Sequence, residues 1–232
     1  MKYILYHHLG LGDSFIVNGL IREIVQNNPN DKFYIVTKPT SADTIKFMYR
    51  DLKELEVLVL SNGDFTFPEN PQEVQQLAYT LEAKILYVGH GNEPHNYNFD
   101  KAFYAQFNID FSKRWSSFKV ERDLKREQAL FDKLEITGKY IFVHEDNARG
   151  MGINRGIRNG IRVIKASTDL TTNLFDYLSL IELATEVHCI ESSFLFLIDS
   201  FNIDVPLFAH RYARNYPARN TPTLKLPWEI LI

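Results

Sequence analysis

Cysteine is nearly absent from this 232-residue chain, with Cys189 its one example. An internal disulfide is therefore impossible, and a cysteine-built metal cluster is excluded. Long apolar runs are also missing, since nothing approaches the ~20 residues that cross a bilayer. The opening MKYILYHHLGLGD carries one lysine and only a short apolar stretch, too little for a secretory signal. Basic charge is not in excess: 26 Lys+Arg face 29 Asp+Glu, for a formal net charge of −3. A histone-like nucleic-acid binder, which works by releasing counterions from phosphates, is thereby excluded. The 45% hydrophobic and 24% charged content is that of a folded globular chain rather than a disordered one. The expectation is a soluble cytoplasmic protein with no transmembrane segment and no nucleic-acid partner.

Several chemical signatures are missing as well. No G-x-x-x-x-G-K-[ST] phosphate loop and no G-x-S-x-G nucleophile elbow occurs. No D-x-D pair stands ready to hold a metal-bound diphosphate. Aromatics, by contrast, are plentiful at 13%, with 17 Phe, 12 Tyr and 2 Trp. Most belong to a core, although such rings also stack on bases and sugars.

Short β-branched or aromatic runs alternate with helical stretches. Strands are expected at Lys2–His7, Phe33–Thr37, Glu56–Leu60 and Lys84–Val88. Helices are expected over Ser14–Asn27, with Ser14 as cap, and over Ser41–Arg50 and Pro71–Leu81. A polar loop, HGNEPHN, follows the fourth strand, and Phe99–Phe107 and Arg122–Leu134 read as helices. The strand pattern then restarts with Lys139–Val143, Ile161–Ile164, Glu186–Ile190 and Val205–Phe208. Between these lie helical stretches at Leu174–Thr185, capped by Asn173, and Ser192–Phe201. Strands joined through helices imply parallel sheets with right-handed crossovers. The expected class is α/β, with two small Rossmann-like units over 1–110 and 139–232 and a linker region over 111–138. Their parallel sheets would face a cleft, with ligands beyond the carboxyl ends of the strands.

The polar material lies at those strand ends. Gly10-Leu11-Gly12-Asp13 follows the first strand and opens a helix. The glycines permit a tight turn and close backbone approach, and the helix start favours an anion. GLGDSF lacks the third glycine of the dinucleotide fingerprint, and the second strand ends in Thr37-Lys38 rather than an acid. Asp13 either caps its helix or acts as a general base toward a substrate hydroxyl. His7, His8 and His90 are weaker candidates for the cleft, since only one of two adjacent strand-end residues can face it. In the second half HEDNARG, from His144, leads into a loop where Arg149, Arg155, Arg158 and Arg162 fall close together. Arginine suits bidentate contact with phosphate, but these residues could equally pair with Glu145 and Asp146. Ser192 and Ser193 precede an apolar helix, where hydroxyls either cap or bind phosphate oxygens. His188 and Cys189, inside a strand, read as core.

These residues resemble a known family. Two small α/β units, a G-x-G-D turn after strand one and a serine turn before a late helix resemble the two-domain glycosyltransferase fold called GT-B. The opening ILYHHLGLGDSFIVNGLIREI resembles the start of heptosyltransferases, which implies Asp13 as catalytic base. It departs from them in lacking a proline before Leu20-Ile21-Arg22. The second half is similar to fucosyltransferase-type enzymes, although HEDNARG carries one arginine where H-x-R-R-x-D has two. FDKAFYAQFNIDFSKRWSSF and HRYARNYPARNTP resemble bacterial and viral polysaccharide-biosynthesis proteins. The resemblance implies a first unit on the acceptor side and a second on the nucleotide-sugar side. The expected activity is metal-independent, inverting transfer from a nucleotide-sugar donor to a glycan or glycolipid hydroxyl, with no cofactor. Gly10, Gly12, His144, Arg149, Arg155, Ser192 and Ser193 would serve the donor phosphates. The alternative is a non-catalytic nucleotide or sugar-nucleotide binding module, and a hydrolase stands further off.

Overall fold

The alternation of apolar and amphipathic stretches emerges as alternating strands and helices in a computed structural model, which describes residues 1–61, 71–92, 94, 97–214 and 221–232. The chain divides into two compact units, Met1–Glu121 and Arg122–Ile232. The first contains β1 (Lys2–Tyr6), α1 (Leu11–Gln26), β2 (Lys32–Thr37), α2 (Ala42–Tyr49) and β3 (Leu55–Val59). It continues through α3 (Pro71–Leu81), β4 (Lys84–Tyr87), α4 (Phe99–Gln106) and α5 (Lys113–Ser116). Its sheet runs β3-β2-β1-β4 with every pairing parallel. The central strands are apolar on both faces, as a sheet covered on both sides requires: Ile4, Leu5, Ile35 and Val36 are fully buried.

Helix α1 begins earlier than the sequence suggests. Gly10 occupies the cap position, and the Ser14 hydroxyl donates to the Gly10 carbonyl at 3.1 Å from inside the first turn. Ser14 is therefore not the cap, because the chain is already helical from Leu11. Leu20 and Ile21 fill the core beneath α1. Arg22, only 1% exposed, forms a two-pronged contact with Asp51 at 2.7 and 3.0 Å. The sequence that departs from heptosyltransferases is thus built into this unit's packing.

The second unit contains α6 (Leu124–Lys133), β5 (Tyr140–His144), β6 (Arg162–Lys165), α7 (Leu178–Glu182) and β7 (Glu186–Cys189). It ends with α8 (Ser193–Asp199), β8 (Leu207–His210) and β9 (Glu229–Leu231). Its sheet runs β6-β5-β7-β8-β9, again parallel throughout. The helix expected over Leu174–Thr185 is a 3-10 turn at Leu174–Tyr177 followed by α7. Asn173 caps that turn, accepting the Phe175 N–H at 3.2 Å. Strand β9 was not foreseen, since three residues are too few to establish alternation. Within the stretch 111–138, α5 packs on α1 and α6 packs on α7. Among the described residues no helix is long and apolar enough to cross a membrane.

Both strand orders reverse once. The chain leaves β1 to build one side of its sheet and returns to place β4 on the other. It leaves β5 for β6 and returns to place β7. The crevices favoured for ligands in open parallel sheets therefore open between the carboxyl ends of β1 and β4, and of β5 and β7.

Candidate functional site

At the β1–β4 crevice, successive residues point to opposite sides, as they do along a strand. His7 turns inward and is 2% exposed. Its Nδ1 accepts the Leu9 N–H at 3.0 Å, so the ring proton lies on Nε2, 3.5 Å from Ser14 Oγ. Burial, with the neighbouring charges of His8, His90 and Lys38, pushes its pKa down to about 3. His7 is thus a neutral clamp on a turn whose Leu9 holds a positive φ of 56°. His8 faces the other way. Its ring stacks on His90 at 4.4 Å, and its Nε2 accepts the His90 N–H at 3.2 Å. The structure therefore joins His8 to His90 and separates both from the role taken by His7.

Asp13 is half-buried in the first turn of α1, one residue after the half-buried Gly12. A Cβ added at Gly10 would lie 2.6 Å from Asp13 Oδ2. The carboxylate accordingly folds back over residue 10, and a side chain there would push it aside. An acid here also complements the positive end of the helix.

At the β5–β7 crevice, His144 ends β5 opposite Cys189 of β7. Ser192 comes three residues after β7 ends at Cys189, and its Oγ reaches His144 Nδ1 at 2.8 Å. Ser192 stands at the cap position of α8, yet its side chain makes no capping bond. The imidazole takes that hydroxyl. The His144 ring also lies 4.4 Å from Phe194, and burial pushes its pKa down to about 4. The imidazole is therefore neutral at pH 7. If its proton sits on Nδ1, it donates to Ser192 and leaves the serine O–H free to donate to an anion. Ser193 stands beside them, half-buried, as the first residue of α8.

The arginines of the β5–β6 connection do not converge. Asp146 accepts Arg149 N–H at 3.2 Å and Nε at 2.6 Å. Although burial opposes ionisation of Asp146, the Arg149 contacts hold its carboxyl below the usual range. Arg155 lies 4.4 Å over the Tyr212 ring and donates to the Ile232 carbonyl. Arg158 pairs with Glu186, and Arg162 donates to the carbonyls of Leu134 and Glu135. Glu145 collects Lys165, the Asn147 amide at 2.7 Å and the Ile153 N–H at 2.9 Å. Each arginine is engaged with a different partner.

Another set at this crevice was not singled out from sequence. Glu191 directly precedes Ser192 and is 6% exposed. Arg211 Nε lies 3.3 Å from its carboxylate, and Arg214 donates to its backbone carbonyl. Burial pushes the Glu191 carboxyl upward against the pull of both arginines. The sequence signal was HRYARN, a polar segment directly after β8. It repeats the strand-then-polar-loop pattern after the short strand Leu207–His210. Residues 215–220, which begin with the last residue of that segment, lie outside the described residues, as do Glu93, His95 and Asn96 of the loop after β4. Among the described residues, no group of three or more His, Cys, Asp or Glu is placed to hold a metal ion.

The chain matches no family model and no curated protein. Solved structures do match. One is a glycosyl transferase family 9 protein from Veillonella parvula DSM 2008, with a TM-score of 0.56 and 10% identity over 90% of this chain and 80% of that one. Another is the ADP-heptose lps heptosyltransferase II of E. coli, with a TM-score of 0.56 and 11% identity over 100% of this chain and 90% of that one. At such identities the likeness is one of fold: an α/β chain with two parallel sheets, of the GT-B-like kind.

Proposed function

We propose that the protein is an inverting, metal-independent glycosyltransferase that moves a sugar from a nucleotide-diphosphate donor to a glycan or glycolipid hydroxyl. One observation carries the reading: each parallel sheet concentrates its reactive polar groups at its own strand-order reversal. Asp13 stands there in the first unit, and His144, Ser192, Glu191 and Arg211 stand there in the second. The fold likeness to proteins named as glycosyltransferases supports the same reading.

The chemistry has two demands, a base for the acceptor hydroxyl and stabilisation of the departing diphosphate. Asp13 takes the acceptor proton. Attack from the side opposite the leaving group inverts the anomeric carbon. Ser192 and Ser193 donate to the diphosphate oxygens, with His144 orienting Ser192, and Arg211 supplies positive charge. Arg149 is already paired with Asp146 and Arg155 already lies over Tyr212, so both are less available to a phosphate. The arginines and hydroxyls thus do the work that a metal ion does elsewhere.

The second reading, a nucleotide-binding module without catalysis, is favoured by the position of the Asp13 carboxylate over Gly10, which suits a helix-start acid. A thermal-shift panel of nucleoside diphosphates tests what both readings share. A ligand at 100 times its dissociation constant raises stability by about 2.7 kcal/mol. Donor consumption by wild type and Asp13→Asn then separates them. Consumption that vanishes with Asp13 supports the enzyme, and binding without any consumption supports the module.

A further inference from the structure

The second unit also holds a line of polar groups, buried up to a half-exposed Tyr212, that the proposed reaction does not use. His188 and His210 are both fully buried, on neighbouring strands β7 and β8. His188 Nε2 lies 3.3 Å from Glu186 Oε2, and His188 Nδ1 lies 2.9 Å from His210 Nε2. His210 Nδ1 lies 3.1 Å from the Tyr212 hydroxyl. That hydroxyl accepts the Asn154 N–H at 3.3 Å and stands 3.5 Å from the Arg155 carbonyl. The line thus runs from the start of β7 to the connection between β5 and β6. That connection passes close over the sheet at Gly156, where a Cβ would lie 3.0 Å from Leu231 and 3.3 Å from His210.

The proton order along the line follows from one end. Burial opposes ionisation of Glu186, but the hydrogen bonds from Arg158 and His188 hold its carboxyl below the usual range. As an ionised carboxylate it only accepts. His188 must then carry its proton on Nε2 and accept on Nδ1. His210 must donate from Nε2 and accept on Nδ1, and Tyr212 must donate to His210. Every bond points toward Glu186.

We infer that His188, His210 and Tyr212 form a one-proton relay that positions the β5–β6 connection at Asn154 and Arg155. With one added proton the line is again fully bonded. A proton from a buffer acid adds to the Tyr212 oxygen as the phenolic proton passes to His210 Nδ1. The His210 Nε2 proton passes to His188 Nδ1, and the positive charge rests on His188 beside Glu186. Tyr212 then donates to the Arg155 carbonyl instead of to His210. One proton enters, none leaves, the two bonds between His188 and Tyr212 reverse, and the bond from Tyr212 to the Arg155 carbonyl is added. A second proton would leave two donors facing each other between the histidines, so the pair takes one only.

The charged groups around the pair set the working range. Glu186 and the exposed Glu229 favour the added proton, while Arg158 and Arg155 oppose it. Burial opposes it as well, and it pushes His210 down to about 4. The relay is therefore neutral at pH 7 and loads only in acid. Asn154 and Arg155 are held at pH 7 through Tyr212 as an acceptor, and in acid through the Arg155 carbonyl as well.

Nitrogen-15 NMR of the whole protein tests this without any substitution. At pH 7 both His188 and His210 should show the Nε2–H form, and on acidification the pair should gain one proton in the folded state. An Nδ1–H form of His188 at pH 7, or two protons gained together before unfolding, would overturn the relay. Tyr212→Phe removes the hydroxyl that accepts the Asn154 N–H in both states. It should speed amide exchange at Asn154 about tenfold at pH 7. Unchanged exchange there in a folded Tyr212→Phe protein would equally overturn the positioning.

Discussion

Ser192 Oγ and His144 Nδ1 meet at 2.8 Å across 48 residues of sequence. The contact exists because β5 and β7 are neighbours, which places the turn after one strand against the end of the other. Since burial keeps His144 neutral, the pair is a hydroxyl and an imidazole rather than an ion pair. It orients a proton without spending a charge, which suits a group that must meet an anion.

The first prediction ranks the arginines. Arg149 is already bonded to Asp146, so a phosphate must compete with that carboxylate. Arg211 faces Glu191, whose burial works against its ionised form. Arg211→Ala should therefore weaken nucleoside-diphosphate binding by about 1.5–3 kcal/mol, the usual size of a charge-assisted hydrogen bond. Arg149→Ala should cost less. Calorimetric titration checks the order, and a larger loss from Arg149→Ala would return the phosphates to HEDNARG.

A second prediction concerns metal. Hydroxyls and arginines stabilise the leaving group in the proposed reaction, so transfer should persist in excess chelator. Loss of activity with EDTA, restored by magnesium or manganese, would show that the diphosphate is held differently.

The third concerns acid stability. Burial pushes His7 down to about 3 and His144 and His210 down to about 4, against 6.5 for an unperturbed histidine. Between pH 6.5 and 4 the unfolded chain binds protons at these positions that the folded chain refuses. Stability is thus fully present above pH 6.5 and falls as the pH drops toward 4. Each site contributes a slope of up to about 1.4 kcal/mol per pH unit. Carboxylates held below their usual range, such as Glu145 and Asp146, add losses only at lower pH, while Glu191 acts in the opposite direction. Denaturant unfolding at pH 7, 6 and 5 measures the slope, and a flat profile would contradict the neutral, buried state of these histidines.

The strands carrying the two crevices were legible because a parallel sheet covered on both faces leaves unbroken apolar runs such as KYILY and YIFVH. The polar residues following them were legible for the same reason, since the runs mark where strands end. Strand order was not written in any local pattern, and it decides that His144 meets Ser192 and that Arg211 meets Glu191. The partners of Arg155 and Arg158 were equally hidden. Tyr212 and Glu186 are remote in sequence, and the connection between β5 and β6 reaches them as a loop that has no period to read. The helix start at Leu11 was missed because a glycine cap gives a weaker signal than the serine four residues later.

The last prediction separates a base from a cap at Asp13. Asp13→Asn retains the shape of the side chain and removes its charge. If the carboxylate is the base, turnover should fall at least ~100-fold, with donor affinity nearly unchanged because the donor is held in the second unit. Gly10→Ala supplies the control. Its φ of −67° suits alanine, so the backbone is not strained, but the new Cβ would press on the carboxylate from 2.6 Å. The aspartate must move while keeping its charge. Losing glycine at the cap should cost about 1 kcal/mol of stability. If catalysis depends on where the carboxylate sits, turnover should drop in Gly10→Ala as well, with the donor still bound. A folded Asp13→Asn protein with near-normal turnover would leave Asp13 as a helix-start acid and move the search for the base to His8 and His90.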